Sequence, residues 1–153
     1  MSPGFLEGHN IVRPVVATLW KMKEIDMLTT LRGFSGFSVR DLGEAASFYR
    51  DVLGLTVRET PMGLEIDATG GSPVFVYPKG DAHEPASFTI LNLVVSDMDK
   101  AVDELAESGT SLIRYAEFDQ DDRGVVRSTD SSQGPTIGWV ADPSGNVIGL
   151  IEE

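Results

Sequence analysis

From residue 31 onward, short apolar runs alternate with turn-forming residues, and two stretches show helical spacing. Arg32 to Val39 reads as a strand. Asp41-Leu42-Gly43-Glu44 follows, an N-cap acid with Glu three residues on, so each side chain is placed to satisfy an orphan backbone N–H. Ala45, Phe48, Tyr49 and Val52 then recur at i, i+3, i+4 and i+7, which is one face of a helix, and Gly54 supplies its C′ stop. Strands are predicted over 55–59, 64–68 and 73–77, separated by Pro61-Met62-Gly63 and Thr69-Gly70-Gly71-Ser72.

The order then repeats. Residues 87–95 form an apolar strand, and Asp97 starts a helix whose inner face is Met98, Val102 and Leu105 and which Gly109 stops. Residues 111–116 are predicted as a strand, and a polar loop runs from about Glu117 to Gly134. Residues 136–140 and 147–151 pair as a hairpin across Asp142-Pro143-Ser144-Gly145-Asn146, whose Pro, Gly and Asn are turn chemistry. Val39-Arg40-Asp41-Leu42 aligns with Val95-Ser96-Asp97-Met98, so each half reads strand–helix–strand–strand–strand. Two copies of one unit, neither able to cover its own sheet, make a single core.

Composition narrows the chemistry. The chain has 153 residues, 41% of them hydrophobic, and 12 basic against 24 acidic side chains, a net charge of −12. That balance argues against a nucleic-acid partner, which needs clustered Lys and Arg. With no cysteine there is no disulfide framework, thiol nucleophile or Cys-ligated metal. The best apolar run, Val15 to Trp20, is too short to span a bilayer and lacks the flanks of a secretory signal, so a cytoplasmic protein with no membrane partner is expected. Residues 1–28 carry no sustained period and read as an N-terminal extension, either poorly structured or an arm; 29–153 read as one domain with modules 31–78 and 87–153.

Phe37-Ser38-Val39-Arg40-Asp41-Leu42, Phe48-Tyr49-Arg50-Asp51-Val52-Leu53-Gly54-Leu55 and Asp142-Pro143-Ser144-Gly145-Asn146 appear in that order in a two-module chain. In this the sequence resembles the vicinal oxygen chelate superfamily of glyoxalases, extradiol dioxygenases and bleomycin and fosfomycin resistance proteins. The resemblance implies an α+β fold in which two tandem βαβββ modules form a curved mixed sheet, as half-barrels around a cleft, with helices on the outer face. It also implies a divalent metal held by a His on the first strand of each module and a Glu near the end. Those positions are Phe34, Ile90 and Gly149, with the first module's last-strand equivalent near Val74, and none offers a donor side chain. The expected cofactor is therefore none, and no metal ligand is assigned. Of the two histidines, His9 lies in the leader and His83, in a connecting loop, reads as solvated, as do Asp119, Asp121 and Asp122.

Strand alternation supplies the lining instead. Phe34, Ser38, Val74, Val76, Ile90, Asn92 and Gly149 share the face of the absent ligands, with Met62, Tyr77, Tyr115, Arg123 and Trp139 placed at a possible rim. An apolar face with a few small polar groups suits a small-molecule pocket, and equally a filled core. The long loop 117–134 reads as a binding loop, a lid or a disordered segment. The first expectation is a metal-free protein binding a small, partly aromatic molecule, acting as a homodimer and assigned no catalytic residue. The alternatives are a lyase, isomerase or dioxygenase with a relocated metal or none, and a dimerisation module without a ligand.

Overall fold

A computed structural model describes residues 27–153; the expectations for His9, for the Val15–Trp20 run and for most of the leader lie outside the described residues. Residues Phe34–Glu153 form one compact unit. Its first module is β1 (Gly36–Val39), α1 (Leu42–Ser47), β2 (Thr56–Thr60), β3 (Gly63–Asp67) and β4 (Val74–Pro78). Its second is β5 (Thr89–Val95), α2 (Met98–Glu107), β6 (Ile137–Ala141) and β7 (Val147–Glu152). The first sheet runs β1-β4-β3-β2 and the second β5-β7-β6, each with its first strand parallel to its last and the remaining pairs antiparallel. Among the described residues no helix is long and apolar enough to cross a membrane.

The helix ends follow the sequence. Asp41 Oδ1 accepts from Glu44 N at 2.8 Å and Asp97 Oδ1 from Lys100 N at 3.1 Å. Gly54 and Gly109 take φ of 70° and 76°, the left-handed region a C′ glycine permits. Beyond Ser47 the helix widens into a π turn over Phe48–Val52, and the adjacent Phe48 and Tyr49 are both buried. Met98, Val102 and Leu105 are buried as the period requires, and the Glu152 carboxylate accepts from Met98 N at 2.7 Å at the start of α2.

The second module departs from expectation at residues 111–116, which do not form a ladder strand. Ile113 N still donates to Trp139 O at 2.7 Å, but the Gln120 side chain occupies the rest of the edge. Its Oε1 accepts from Tyr115 N at 2.7 Å, and its Nε2 donates to Ile113 O at 2.9 Å and to Gly124 O at 2.7 Å. One amide thus substitutes for a strand's donors and acceptors, and the second sheet has three strands rather than four.

The loop over 117–134 is tied down. Val125 is fully buried, and Val126 pairs with Ile137. Asp121 accepts from Arg123 N, Val125 N and Arg127 Nε at 2.8–3.0 Å. Arg127 reaches Asp99 at 2.5 Å, and Arg123 reaches Asp103 at 2.5 Å and Asp99 at 3.5 Å, fastening the loop to α2. The Arg127 bond holds Asp99 below the usual aspartate range. For Asp121 burial pulls the other way but is outweighed by the Val125 amide and Arg127. Carboxyls depressed in the folded state contribute stability that is present above the ordinary value near 4 and lost as pH falls through the lower folded values. Arg127→Gln should therefore shrink the difference in urea midpoint between pH 7 and pH 3. An undiminished difference would show that the network does not govern acid sensitivity.

The two modules are latched by the turn between β6 and β7. The Asp142 carboxylate, buried, accepts from Tyr49 Oη at 2.8 Å, Ser144 N at 2.8 Å, Asn146 N at 2.9 Å and Asn146 Nδ2 at 3.0 Å. Asn146 Nδ2 also donates to Ser38 O at 2.8 Å, and Arg40 N donates to Ser144 Oγ at 2.8 Å. Burial first, then the charge and hydrogen bond of Asp142, push the Tyr49 phenol above its ordinary pKa.

Candidate functional site

Paired residues in a ladder share a face, so register decides what the first sheet presents on its open side. Gly36 pairs with Phe75 and Ser38 with Tyr77; Phe37 pairs with Val76. Val76, Leu64 and Ile66 are buried in the core, and Val74, opposite Ile66, shares their face. Val74 and Val76 therefore point to the helix side, a correction to the expected lining, and Phe75 and Tyr77 take the open face. The Phe75 and Tyr77 rings lie 6.0 Å apart at 20°, and Phe34 meets Phe75 edge-on at 6.4 Å. Arg58 and Glu65 form an ion pair on this face beside Phe75. Met62, 74% exposed, projects from the β2–β3 turn.

On the second sheet Asn92, Gly149 and Trp139 are in register across the three strands. A Cβ on Gly149 would overlap Asn92 Oδ1, so the amide lies directly over the glycine. Trp139 is not a free rim residue: it is buried beneath Tyr115 (5.3 Å, edge-on) and Phe118 (5.0 Å, stacked). Phe118, 47% exposed, is the outermost ring of this cluster and was not singled out in the sequence. Arg123 belongs to the helix side with Asp99 and Asp103, not to the rim.

Between β1 and β5 lies a cleft of about 390 Å³. Of the expected lining it holds Ser38 and Ile90, joined by Gly36, Glu84, Phe88 and Asn146. Ile90 sits where the β5–β7 register slips between Thr89 and Leu91. Asn92 and Gly149 are outside this cleft, as are Phe34, Val74 and Val76.

His83 is half-buried rather than solvated. Its Nδ1 is 2.8 Å from Ser38 Oγ and its Nε2 is 3.0 Å from the Ser144 carbonyl oxygen. A carbonyl only accepts, so Nε2 carries the ring proton, and in the neutral ring Nδ1 accepts from the Ser38 hydroxyl. No local motif marks this histidine, since its partners lie 45 and 61 positions away.

The metal site implied by the resemblance does not fit these residues. Phe34, Ile90 and Gly149 have no donor atoms, and the space where a longer side chain at 149 would start is filled by Asn92. Among the described residues no group of three or more His, Asp or Glu side chains is placed to hold an ion. His83 is engaged with Ser38 and Ser144, and Asp121 with Arg127 and backbone amides.

No curated protein matches the chain. Among solved structures, a glyoxalase family protein from Bacillus anthracis is similar at 20% identity and TM-score 0.56, covering 83% of this chain and 99% of its own. TnmS3, an antibiotic binding protein from a Streptomyces species, is 21% identical with TM-score 0.54, covering 82% and 98%. The fosfomycin resistance protein FosX from Listeria monocytogenes is 9% identical with TM-score 0.58, covering 83% and 95%. These similarities establish the fold. The family described as Glyoxalase/Bleomycin resistance protein/Dioxygenase superfamily matches residues 34–150, and with the two-module architecture already described, this chain belongs to that superfamily.

Proposed function

We propose that this chain is a metal-independent binding protein that sequesters a small, partly aromatic molecule in the cleft between its modules. The observation that carries the reading is the cleft itself: about 390 Å³, with Phe88 and Ile90 as apolar walls and Ser38, Glu84 and Asn146 as polar groups. That volume and that sparse polar lining suit a drug-sized ligand. Charge selects among such ligands. The chain carries −12 overall, Glu84 stands in the cleft, and Arg123 and Arg127 are committed to α2, so neutral or cationic aromatic compounds are favoured over anions. The relative from Streptomyces, named an antibiotic binding protein, makes antibiotics the first class to try.

The protein acts in this reading as a cytoplasmic homodimer. Phe34, Met62, Val94 and Phe118 expose 47–74% of their surface, an apolar area that pairing of two copies would cover.

The test is a thermal-shift screen of the full chain against aromatic antibiotics, bleomycin included. A true ligand at about 100 times its Kd should stabilise by about 2.7 kcal/mol. Phe88→Asp, at a position 69% exposed, should abolish the shift while leaving the unliganded melting temperature unchanged. A panel that produces no shift in the wild type sinks the reading.

A further inference from the structure

We propose that Ser38 and His83 form a nucleophile–base pair and that the cleft acylates Ser38 with small activated esters and then hydrolyses the acyl-serine. This goes beyond sequestration and shares with it only the need for a cleft open to small molecules. Three observations carry it. Ser38 Oγ lies 2.8 Å from Nδ1, the ring nitrogen that lacks a proton, so the hydroxyl is already bonded to a base. The ring is held by a third group, the Ser144 carbonyl, which accepts from Nε2–H at 3.0 Å and so fixes the tautomer that leaves Nδ1 basic. Ser38 lines a cleft of about 390 Å³ whose neighbours Gly36, Phe88 and Ile90 leave room for an acyl or aryl group.

The backbone of β1 adds a fourth element. Ser35 O and Val39 O accept from Phe75 N and Lys79 N of the β4 side, so alternation turns the main chain of residue 38 to the opposite edge. Asn146 bonding to Ser38 O confirms that direction. The Ser38 amide N–H points the same way and is the group placed to face the oxyanion of an adduct on its own side chain. Asn146 Nδ2 is spent on Ser38 O and Asp142, so the site offers one such donor where dedicated acyl-transfer enzymes pair two. Turnover is accordingly expected about 10²–10³-fold below that of a site with a full oxyanion hole.

The chemistry balances with water as the only co-reactant. Ser38 Oγ forms a bond to the ester carbonyl carbon as its proton passes to His83 Nδ1. The tetrahedral adduct collapses, the carbon–oxygen bond to the leaving group breaks, and the proton on Nδ1 goes to the departing oxygen. Water then attacks the acyl-serine, giving its proton to Nδ1. That proton returns to Ser38 Oγ as the carboxylic acid leaves.

The test uses the full chain with p-nitrophenyl acetate, following p-nitrophenolate release together with intact mass and peptide mapping. The expected result is one acetyl group per chain, on Ser38, with release lowered about 100-fold or more in Ser38→Ala and in His83→Gln. Ser38→Cys, which keeps a nucleophile at the same atom, should be acylated there faster than free cysteine at the same pH, which a purely structural hydrogen bond would not require. It also keeps the test decisive where the histidine variant folds poorly. Acetyl groups mapped only to lysines or the N-terminus, or wild-type release from Ser38→Ala, would overturn the pair. A chain that shifts its melting temperature with an aromatic antibiotic yet is never acylated refutes this inference alone; a chain acylated at Ser38 that binds none of the panel refutes only the sequestering role.

Discussion

Asp142→Ala should unfold with a loss of about 3 to 5 kcal/mol in urea titration, the largest effect expected of any single exchange at the turn. The carboxylate accepts four hydrogen bonds while almost completely buried. Removing it strands the Tyr49 hydroxyl and two backbone amides, each worth about 1–3 kcal/mol when left unsatisfied away from water, with partial relief by water entering the space. Tyr49→Phe removes one bond and one polar group together and should cost far less, about 1 kcal/mol. Its pH signature is sharper. The folded phenol titrates above its ordinary value, so its contribution is complete below about pH 10 and declines above that at up to about 1.4 kcal/mol per pH unit. The wild type should lose stability between pH 10 and 11, and Tyr49→Phe should lose less of it. Equal alkaline slopes would show that the phenol ionises as freely in the folded protein as in the unfolded one. A loss below 1 kcal/mol for Asp142→Ala would show that the latch is dispensable.

The second large effect is at Gln120. Alanine there leaves Tyr115 N, Ile113 O and Gly124 O without partners, a cost of about 2 to 3 kcal/mol. Amide exchange at Tyr115 and proteolysis within 117–126 should both accelerate, because the side chain holds that segment to the edge beside β6. Gln120→Glu is the informative companion. A carboxylate still accepts from Tyr115 N but has no hydrogen to give the two carbonyls, so it should be no better than alanine. A glutamate variant as stable as wild type would show that packing, not the amide's donors, secures the loop.

Much of the architecture was legible in the sequence because local rules and global fold agree. The Asp caps, the glycines after each helix and the inner faces of both helices all appear where periodicity put them. The failures have identifiable causes. Val74-Phe75-Val76-Tyr77 is apolar at every position, so alternation gives no face, and the pairing of Val74 and Val76 with Ile66 and Leu64 and of Val76 with Phe37 shows which side is buried. Residues 111–116 have strand composition, yet a glutamine four residues beyond the segment takes the hydrogen bonds a strand would have used. Of the site, Ser38 and Ile90 were found by counting along strands, whereas Phe75, Phe118 and the engagement of His83 depend on contacts between distant segments. Nothing in the local sequence ties Arg123 or Arg127 to a partner, and both are paired with the chain's own Asp99, Asp103 and Asp121.

The Asp142 latch also bears on how the chain is made. Its partners Tyr49 and Ser38 lie 93 and 108 positions upstream of the residues that bind them, so the early half leaves the ribosome with a phenol that has no acceptor. Non-local closures of this kind come late in folding. A polypeptide halted before the β6–β7 hairpin thus displays an unfinished first half, in which the Tyr49 hydroxyl and the Ser38 carbonyl lack the partners that the later turn supplies.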